Sequence, residues 1–348
     1  MADSTGKIRF IQEQLDEVPP FVHRVGNPIK ELEGRITQEM QTVWKPVIHL
    51  TASVAMAVDL EVCINGGRPW VAYPKFDDLV LIPSGMGTAW NQWNQQPADP
   101  MVELGSKIET LDPAGLTNLK DLREGYPWIT PGHREYPWDQ FASRSPRPKL
   151  RAVGGVGVRW QSLIVSPKRL DWMKPAEVGD DPRFGWWKRL REVDCSWVSS
   201  RGESERFLYY DGPTTRPGIG RVVVANERLS LVGMFPRPVA YIDVGQKGVV
   251  IRWSNDWTSQ YLVDTSGVPG PASDAEKQLQ SELLKRGLSV SEAGGLLDCW
   301  RQAFFKTPGR RFLTLMSAAD YDEACPIKIR PLPTERVRVG IIWTELGR

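Results

Sequence analysis

Glu135 and Asp139 lie four residues apart, with Trp138 beside the second, and of the acids in this chain they are the pair best spaced for hydrolytic chemistry. Two carboxyl groups flanking one bond can divide the roles of acid and nucleophile or base, and a flat indole face suits a sugar ring. Asp77, Asp78 and Glu124 are further acids of the same region, although adjacent acids such as Asp77-Asp78 also read as a solvated turn. Around the pair stand Trp128, His133, Tyr136 and Trp138, within the repeated Tyr126-Pro127-Trp128 and Tyr136-Pro137-Trp138. The ten-residue spacing places two aromatic corners side by side, a surface of the anchoring kind that binds without catalysis. Aromatic residues next to proline also pin loops onto a sheet face, so a structural role stands beside both functional ones.

Elsewhere the chemical vocabulary is thin. Of the three histidines, His23 sits in a polar arm, His49 at a strand position suited to a packed neutral imidazole, and only His133, near Glu135, has a ligand-like neighbour. No metal site and no cofactor is expected. No Gly-x-Ser-x-Gly elbow is present, Ser84-Gly85 being a weak substitute, and Gly154-Gly155-Val156-Gly157 lacks the spacing and following helix of a dinucleotide loop. Cys63, Cys195, Cys299 and Cys325 are far apart with no Cys-x-x-Cys, which favours buried thiols over zinc or redox motifs and leaves one or two disulfides open. Arg301 follows Trp300 on an expected helix, where an ion pair tying helix to sheet is preferred to anion recognition.

Composition sets the wider bounds. The 348 residues are 41% apolar and 25% charged, long enough for two domains. A net charge of +2, from 44 basic and 42 acidic side chains, provides no global field for nucleic acid or an acidic membrane. The densest basic run, Arg144 to Arg151, has no interleaved aromatic platform and reads as a solvated linker. The fifteen tryptophans spread from Trp44 to Trp343, about one per element, as anchors of β-sheet cores would. No window is apolar enough to span a membrane, and the N-terminus lacks the pattern of a signal peptide; the chain as written reads as cytoplasmic, with an exported mature form the alternative.

The elements that would position these residues form three stretches. Residues 1–43 are a polar arm, with a short helix over Ile8–Leu15 and weak helicity over Pro28–Met40. Residues 44–165 alternate as strands, with Val54, Met56, Val58, Leu60, Val62 and Ile64 on one side, and Asn65-Gly66-Gly67 turning a hairpin back through Trp70, Ala72 and Tyr73. A Pro- and Trp-rich insertion, 82–149, interrupts them and holds the candidate site. Residues 166–348 begin with a short basic helix over Phe184–Arg191, strands over Val193–Ser199 and Arg206–Tyr210, and a turn at Asp211–Arg216. About four short strands follow from Arg221 to Trp253, at the spacing of an antiparallel sandwich. An αα-hairpin over 273–306 comes next: Ser273 with Glu276 and Ser289 with Glu292 have capping-box spacing, and Gly287 supplies the stop between the helices. Phe312–Met316, a short helix capped by Ser317, Ile327–Ile329 and Val337–Trp343 close the chain. The expected fold is mainly β (α+β): two antiparallel β-sandwich-like domains, the C-terminal one carrying the αα-hairpin as a clamp over its sheet.

The pieces Lys45-Pro46-Val47-Ile48, Gly66–Pro74 ("GGRPWVAYP"), "VRWQSLIVSP", "ERFLYYDG" and the closing "CWRQAFF…GRR…CPIKIRP…RVRVG" together resemble a family of uncharacterised bacterial proteins. In that family a Thr-Trp-Arg-x-Ser-Trp-Phe helix leads into a Gly-x-Arg strand, and Leu-Pro-Leu-x-Ile-x-Pro leads into Arg-Val-x-Val-Gly. Here Cys299–Phe305 and Cys325-Pro326-Ile327 occupy the corresponding places, and the likeness covers 44–345 without the insertion. The resemblance implies an architecture and transfers no catalytic residue; its members often carry export signals, which this chain does not show. The function expected is a non-enzymatic binding or assembly protein with a protein or carbohydrate partner, presenting Trp128, His133, Tyr136 and Trp138. The alternatives are a hydrolase of carbohydrate or another polymer acting through Glu135 and Asp139, or a subunit of a larger assembly tethered by its arm.

Overall fold

In the strand Met56–Asn65, Val58, Leu60, Val62 and Ile64 point into one apolar cluster with Val158, Trp160, Leu163 and Val165, as the period-two alternation of the sequence requires. This strand and its partner organise the molecule. The structure is a computed structural model that describes residues 18–25, 41–43, 46–65, 67–83, 153–214, 221–225, 228–232, 238–254 and 265–346. It is mainly β, with antiparallel sheets and fewer helices. The strands are β1 (His23–Arg24), β2 (Gln41–Val43), β3 (Val47–Ile48), β4 (Met56–Asn65), β5 (Val71–Tyr73), β6 (Asp78–Pro83) and β7 (Val153–Ser166). There follow β8 (Trp197–Ser200), β9 (Glu203–Glu205), β10 (Leu208–Thr214), β11 (Arg221–Ala225), β12 (Arg228–Val232), β13 (Val239–Gly245) and β14 (Gly248–Ser254). The last are β15 (Gly309–Met316), β16 (Ile327–Arg330) and β17 (Gly340–Leu346). The α-helices are α1 (Gly185–Leu190), α2 (Ala272–Lys285), α3 (Val290–Arg301) and α4 (Ala318–Ala324).

Two sheets face one another around the first core. One is six-stranded, in the order β16-β4-β7-β8-β9 with β6 also on β7; the other is five-stranded, in the order β1-β5-β10-β2 with β3 also on β10. Ala72, Leu208 and Tyr210 of the second sheet meet Leu60, Val62, Val158 and Trp160 of the first. Trp160 is buried and donates its indole N–H to the carbonyl of Pro74 at 2.8 Å, which satisfies its polar end inside the core. The other face of the five-stranded sheet carries Val71, Tyr73 and Tyr209, which pack against Trp186, Trp187 and Leu190 of α1. The expected short basic helix is thus present, and its two tryptophans cover a sheet.

The four-stranded sheet β14-β13-β15-β17 is covered on one face by α2 and α3. Ala240, Ile242, Leu313 and Leu315 face Ala275, Leu279, Leu283, Ala293 and Leu297, so the helical hairpin does clamp this sheet. Gly287 takes φ +95° between the two helices, the left-handed stop the sequence calls for. The Ser289–Glu292 capping box forms in both directions, at 3.2 and 2.8 Å. The Ser273–Glu276 box does not form: α2 starts two residues earlier, with Pro271 rather than Ser273 at its N-cap, and the Glu276 carboxylate is engaged by Arg301 Nε at 2.8 Å. That contact also corrects the expectation for Arg301, whose acids, Glu276 and Asp298, both lie on the helices rather than on a strand. The end of α3 widens into one π turn, Gln302–Lys306, and α3 crosses α1 at Gly295, where a Cβ would sit 2.9 Å from Val193 Cγ2.

Two further sequence expectations change. Asn65–Gly67 does not make a hairpin with Trp70–Tyr73: β4 pairs with β7 and β16, whereas β5 crosses to the other sheet and pairs with β1 and β10, where Val71 and Tyr73 find the aromatic layer. Of the expected turn at Asp211–Arg216, residues 211–214 are instead strand, because β10 runs on through Thr214 against β2, and the last two lie outside the described residues. The sheets also draw strands from distant parts of the chain, β16 closing onto β4 through Ile327↔Val62 and Lys328↔Glu61.

Candidate functional site

Trp128, His133, Tyr136 and Trp138, the alternative pair Glu135 and Asp139, and Glu124 all lie outside the described residues. Among the described residues, apart from Arg301 with Glu276 and Asp298, titratable side chains gather in three further places.

The first is built by α1, β5, β9 and the arm. Trp187 and Arg191, one helical turn apart, project toward β9, where the Glu205 side chain is 0% exposed. Arg191 donates from Nε to Oε1 at 2.9 Å and from Nη2 to Oε2 at 2.7 Å, and Trp187 Nε1 donates to Oε2 at 2.9 Å. The Arg206 N–H adds a fourth bond to Oε1 at 2.9 Å. A buried carboxylate so fully engaged is fixed rather than reactive. Tyr73 lies against Trp187, and burial together with the nearby Glu205 pushes its hydroxyl up, so it stays a neutral phenol. At the rim, His23 Nε2 meets Glu203 at 2.7 Å, its ring stacked 6.0 Å from Tyr73, while the Lys75 N–H donates to the same carboxylate at 2.7 Å. This His–Glu pair fastens the arm, whose Phe21 packs on Tyr73 and Trp187, to the sheet. His49, edge-on to Phe207, is the packed neutral imidazole expected, with burial lowering it to about 4.

The second place is a row across three strands. Lys328 on β16, Glu61 on β4 and Arg159 on β7 occupy facing register positions. Glu61 lies 2.6 Å from Arg159 Nε and 3.5 Å from Lys328 Nζ. Burial pulls the Lys328 amine down to about 7, against the opposing pull of Glu61, so it can exchange a proton near neutrality. Asp77, one of the sequence's candidate acids, is engaged nearby by Arg201 at 2.7 Å and by the Gln161 N–H at 2.6 Å.

The third joins the C-terminal pieces. Asp322 is clamped by Arg336 and Arg338, and Arg338 lies over the Tyr321 ring at 4.2 Å. Arg311, fully buried on β15, donates to the carbonyls of Ala303 and Thr307, the latter at 2.7 Å, and so closes the π turn onto the sheet. No disulfide joins any of Cys63, Cys195, Cys299 and Cys325, and burial pushes the Cys325 thiol up to about 12. Among the described residues, no group of three or more His, Cys, Asp or Glu is placed to hold a metal, and no helix is long and apolar enough to cross a membrane.

The sequence signals for these clusters were faint. Glu61, Asp59 and Lys328 are charged residues inside strand alternations, a pattern that by itself reads as a solvated face. Only their burial shows otherwise. No family model, no curated protein and no solved structure matches this chain.

Proposed function

We propose that the chain is a non-enzymatic binding or assembly protein related to the bacterial family its closing motif resembles. The observation that carries this reading is the use made of that motif. Trp300, Phe304 and Phe305 fill the core between hairpin and sheet, and Arg301 ties α3 to α2. Arg311 closes the π turn, Ile327 joins the sandwich core, and Arg338 holds Asp322. The residues that carry the resemblance thus build a scaffold, and binding falls to the aromatic stretch around Trp128, His133, Tyr136 and Trp138. No disulfide joins Cys63, Cys195, Cys299 or Cys325, which is in keeping with the cytoplasmic location expected from the sequence.

The test is intrinsic tryptophan fluorescence titrated with a panel of glycans and polymers, run beside product assays on the same panel. A saturable change without product, lost in Trp138→Ala, is the expected result. Product formation that disappears in Glu135→Gln or Asp139→Asn would overturn the reading in favour of a hydrolase.

A further inference from the structure

Sheet edges expose unpaired backbone groups, and proteins guard them with short strands, Lys or Arg, Pro, bulges or covering segments. Most edges described here are guarded. β1 has two residues, β2 and β9 three, and Ser204 of β9 is bridged by Pro175. β16 carries Lys328 and Arg330 and runs into Pro331. The outer side of β14 is covered by the segment before α2: Val249 and Gly270 exchange N–H···O bonds at 2.9 and 3.0 Å, and Arg252 Nε donates to the Ser266 carbonyl.

β17 differs. Its seven residues, Gly-Ile-Ile-Trp-Thr-Glu-Leu, pair with β15 in unbroken register from Arg310↔Leu346 to Met316↔Gly340. No described strand lies on its other side. It contains neither Lys, Arg nor Pro, and Ile341, Ile342, Trp343 and Thr344 are all half-buried.

We infer that β17 is an assembly edge on which a second copy of this chain adds its own β17 antiparallel, joining two four-stranded sheets into one of eight. This rests on the assembly reading proposed above. Charge favours a copy in that orientation. The one charged residue, Glu345, sits near the strand's end, so antiparallel pairing sets it toward the partner's uncharged Gly340–Ile342 end rather than against the other Glu345. The relating two-fold stands normal to the sheet and keeps both helical hairpins on the same face. The half-buried Ile341, Trp343 and Trp300, which border the hairpin core, then meet their counterparts and extend one apolar layer across the junction.

The test uses the full chain in sedimentation velocity over a wide concentration range, with hydrogen exchange followed at the same concentrations. The expected result is a monomer–dimer equilibrium in which residues 340–346 gain protection with concentration. Thr344→Lys, which installs the missing guard on a side chain outside the apolar clusters, weakens association at least about tenfold. A chain monomeric throughout, or a dimer whose 340–346 amides are indifferent to concentration, would overturn the inference. If Thr344→Lys misfolds, the wild-type exchange pattern alone decides. A monomer that still gives a saturable fluorescence response to a polymer removes the edge and leaves the binding reading standing.

Discussion

Arg191 grips Glu205 with both arms of its guanidinium, at 2.9 and 2.7 Å, on a carboxylate that Trp187 and the Arg206 N–H also address. The pair ties α1 to β9 across the aromatic layer on Tyr73 and Tyr209. Removing one member leaves a buried charge unmatched, so Arg191→Ala should destabilise by about 3–5 kcal/mol. Arg191→Met with Glu205→Leu should recover much of that, because an apolar pair removes both charges together. Denaturant unfolding of the single and the double variant checks this; equal losses in both would mean the contact is not the source of the stability.

Adjacent glycines in α3 make opposite predictions. A Cβ on Gly294 meets nothing within 4 Å, whereas one on Gly295 comes 2.9 Å from Val193 Cγ2 and 3.6 Å from Leu190 Cδ2. Gly294→Ala should stabilise by about 0.5–1 kcal/mol through helix propensity alone. Gly295→Ala should lose that gain and more, since Val193 is branched at the contact and Leu190 of α1 is already packed into the aromatic layer. Thermal unfolding distinguishes them, and stabilisation by both would deny the close approach of α1 and α3.

These contacts also mark where sequence stopped and packing began. The hairpin was legible because Ser289, Glu292 and Gly287 act locally, through bonds and spacing within a few residues. The four strands from β11 to β14 were legible for the same reason, each short and close to the next. The partner of β5 was not: Asn65-Gly66-Gly67 has the composition of a hairpin turn, yet the burial of Val71 and Tyr73 in the aromatic layer decides which sheet receives the returning chain. Glu276 shows the same competition on a smaller scale, being spaced for a capping box and taken by Arg301. Of the candidate site, the sequence named residues that lie outside those described, while Glu205, Glu61, Lys328 and Arg311 became visible only through partners distant in the chain or buried surroundings.

Two buried bases set the pH response. His49 has an ordinary value of 6.5 and is lowered to about 4, chiefly by burial, with Glu292 opposing and Arg206 assisting. Between those values the unfolded chain holds the extra proton, so stability falls as pH drops through the window. Lys328 behaves alike at higher pH: ordinarily 10.5 and lowered to about 7 by burial, with Glu61 opposing and Arg159 and Arg330 assisting, it makes stability rise as pH climbs from about 7 toward 10.5. Lys328→Met should flatten the alkaline limb and leave the acid limb in place, while His49→Phe should do the reverse. Urea midpoints measured across both windows test this, and an unchanged alkaline limb in Lys328→Met would place that titration elsewhere.

The irregularity in the β4–β7 ladder supplies the last prediction. Register slips between Val58 and Leu60, opposite Gln161 and Ser162, and Ser162 takes φ +52° there. Two aspartates hold the freed backbone: Asp59 Oδ1 accepts from the Ser162 N–H at 2.8 Å, and Asp77 Oδ2 from the Gln161 N–H at 2.6 Å. A left-handed serine is strained by about 1 kcal/mol relative to glycine, so Ser162→Gly should stabilise by a few tenths to about 1 kcal/mol after the added freedom of the unfolded chain is counted. Asp59→Ala removes the buried acceptor and should destabilise by about 1–3 kcal/mol. Both are read by denaturant unfolding. Because Asp59 bonds the backbone of residue 162 and not its side chain, the loss from Asp59→Ala should persist at full size in the Ser162→Gly background. A smaller loss there would mean that the glycine lets the bulge relax to another geometry.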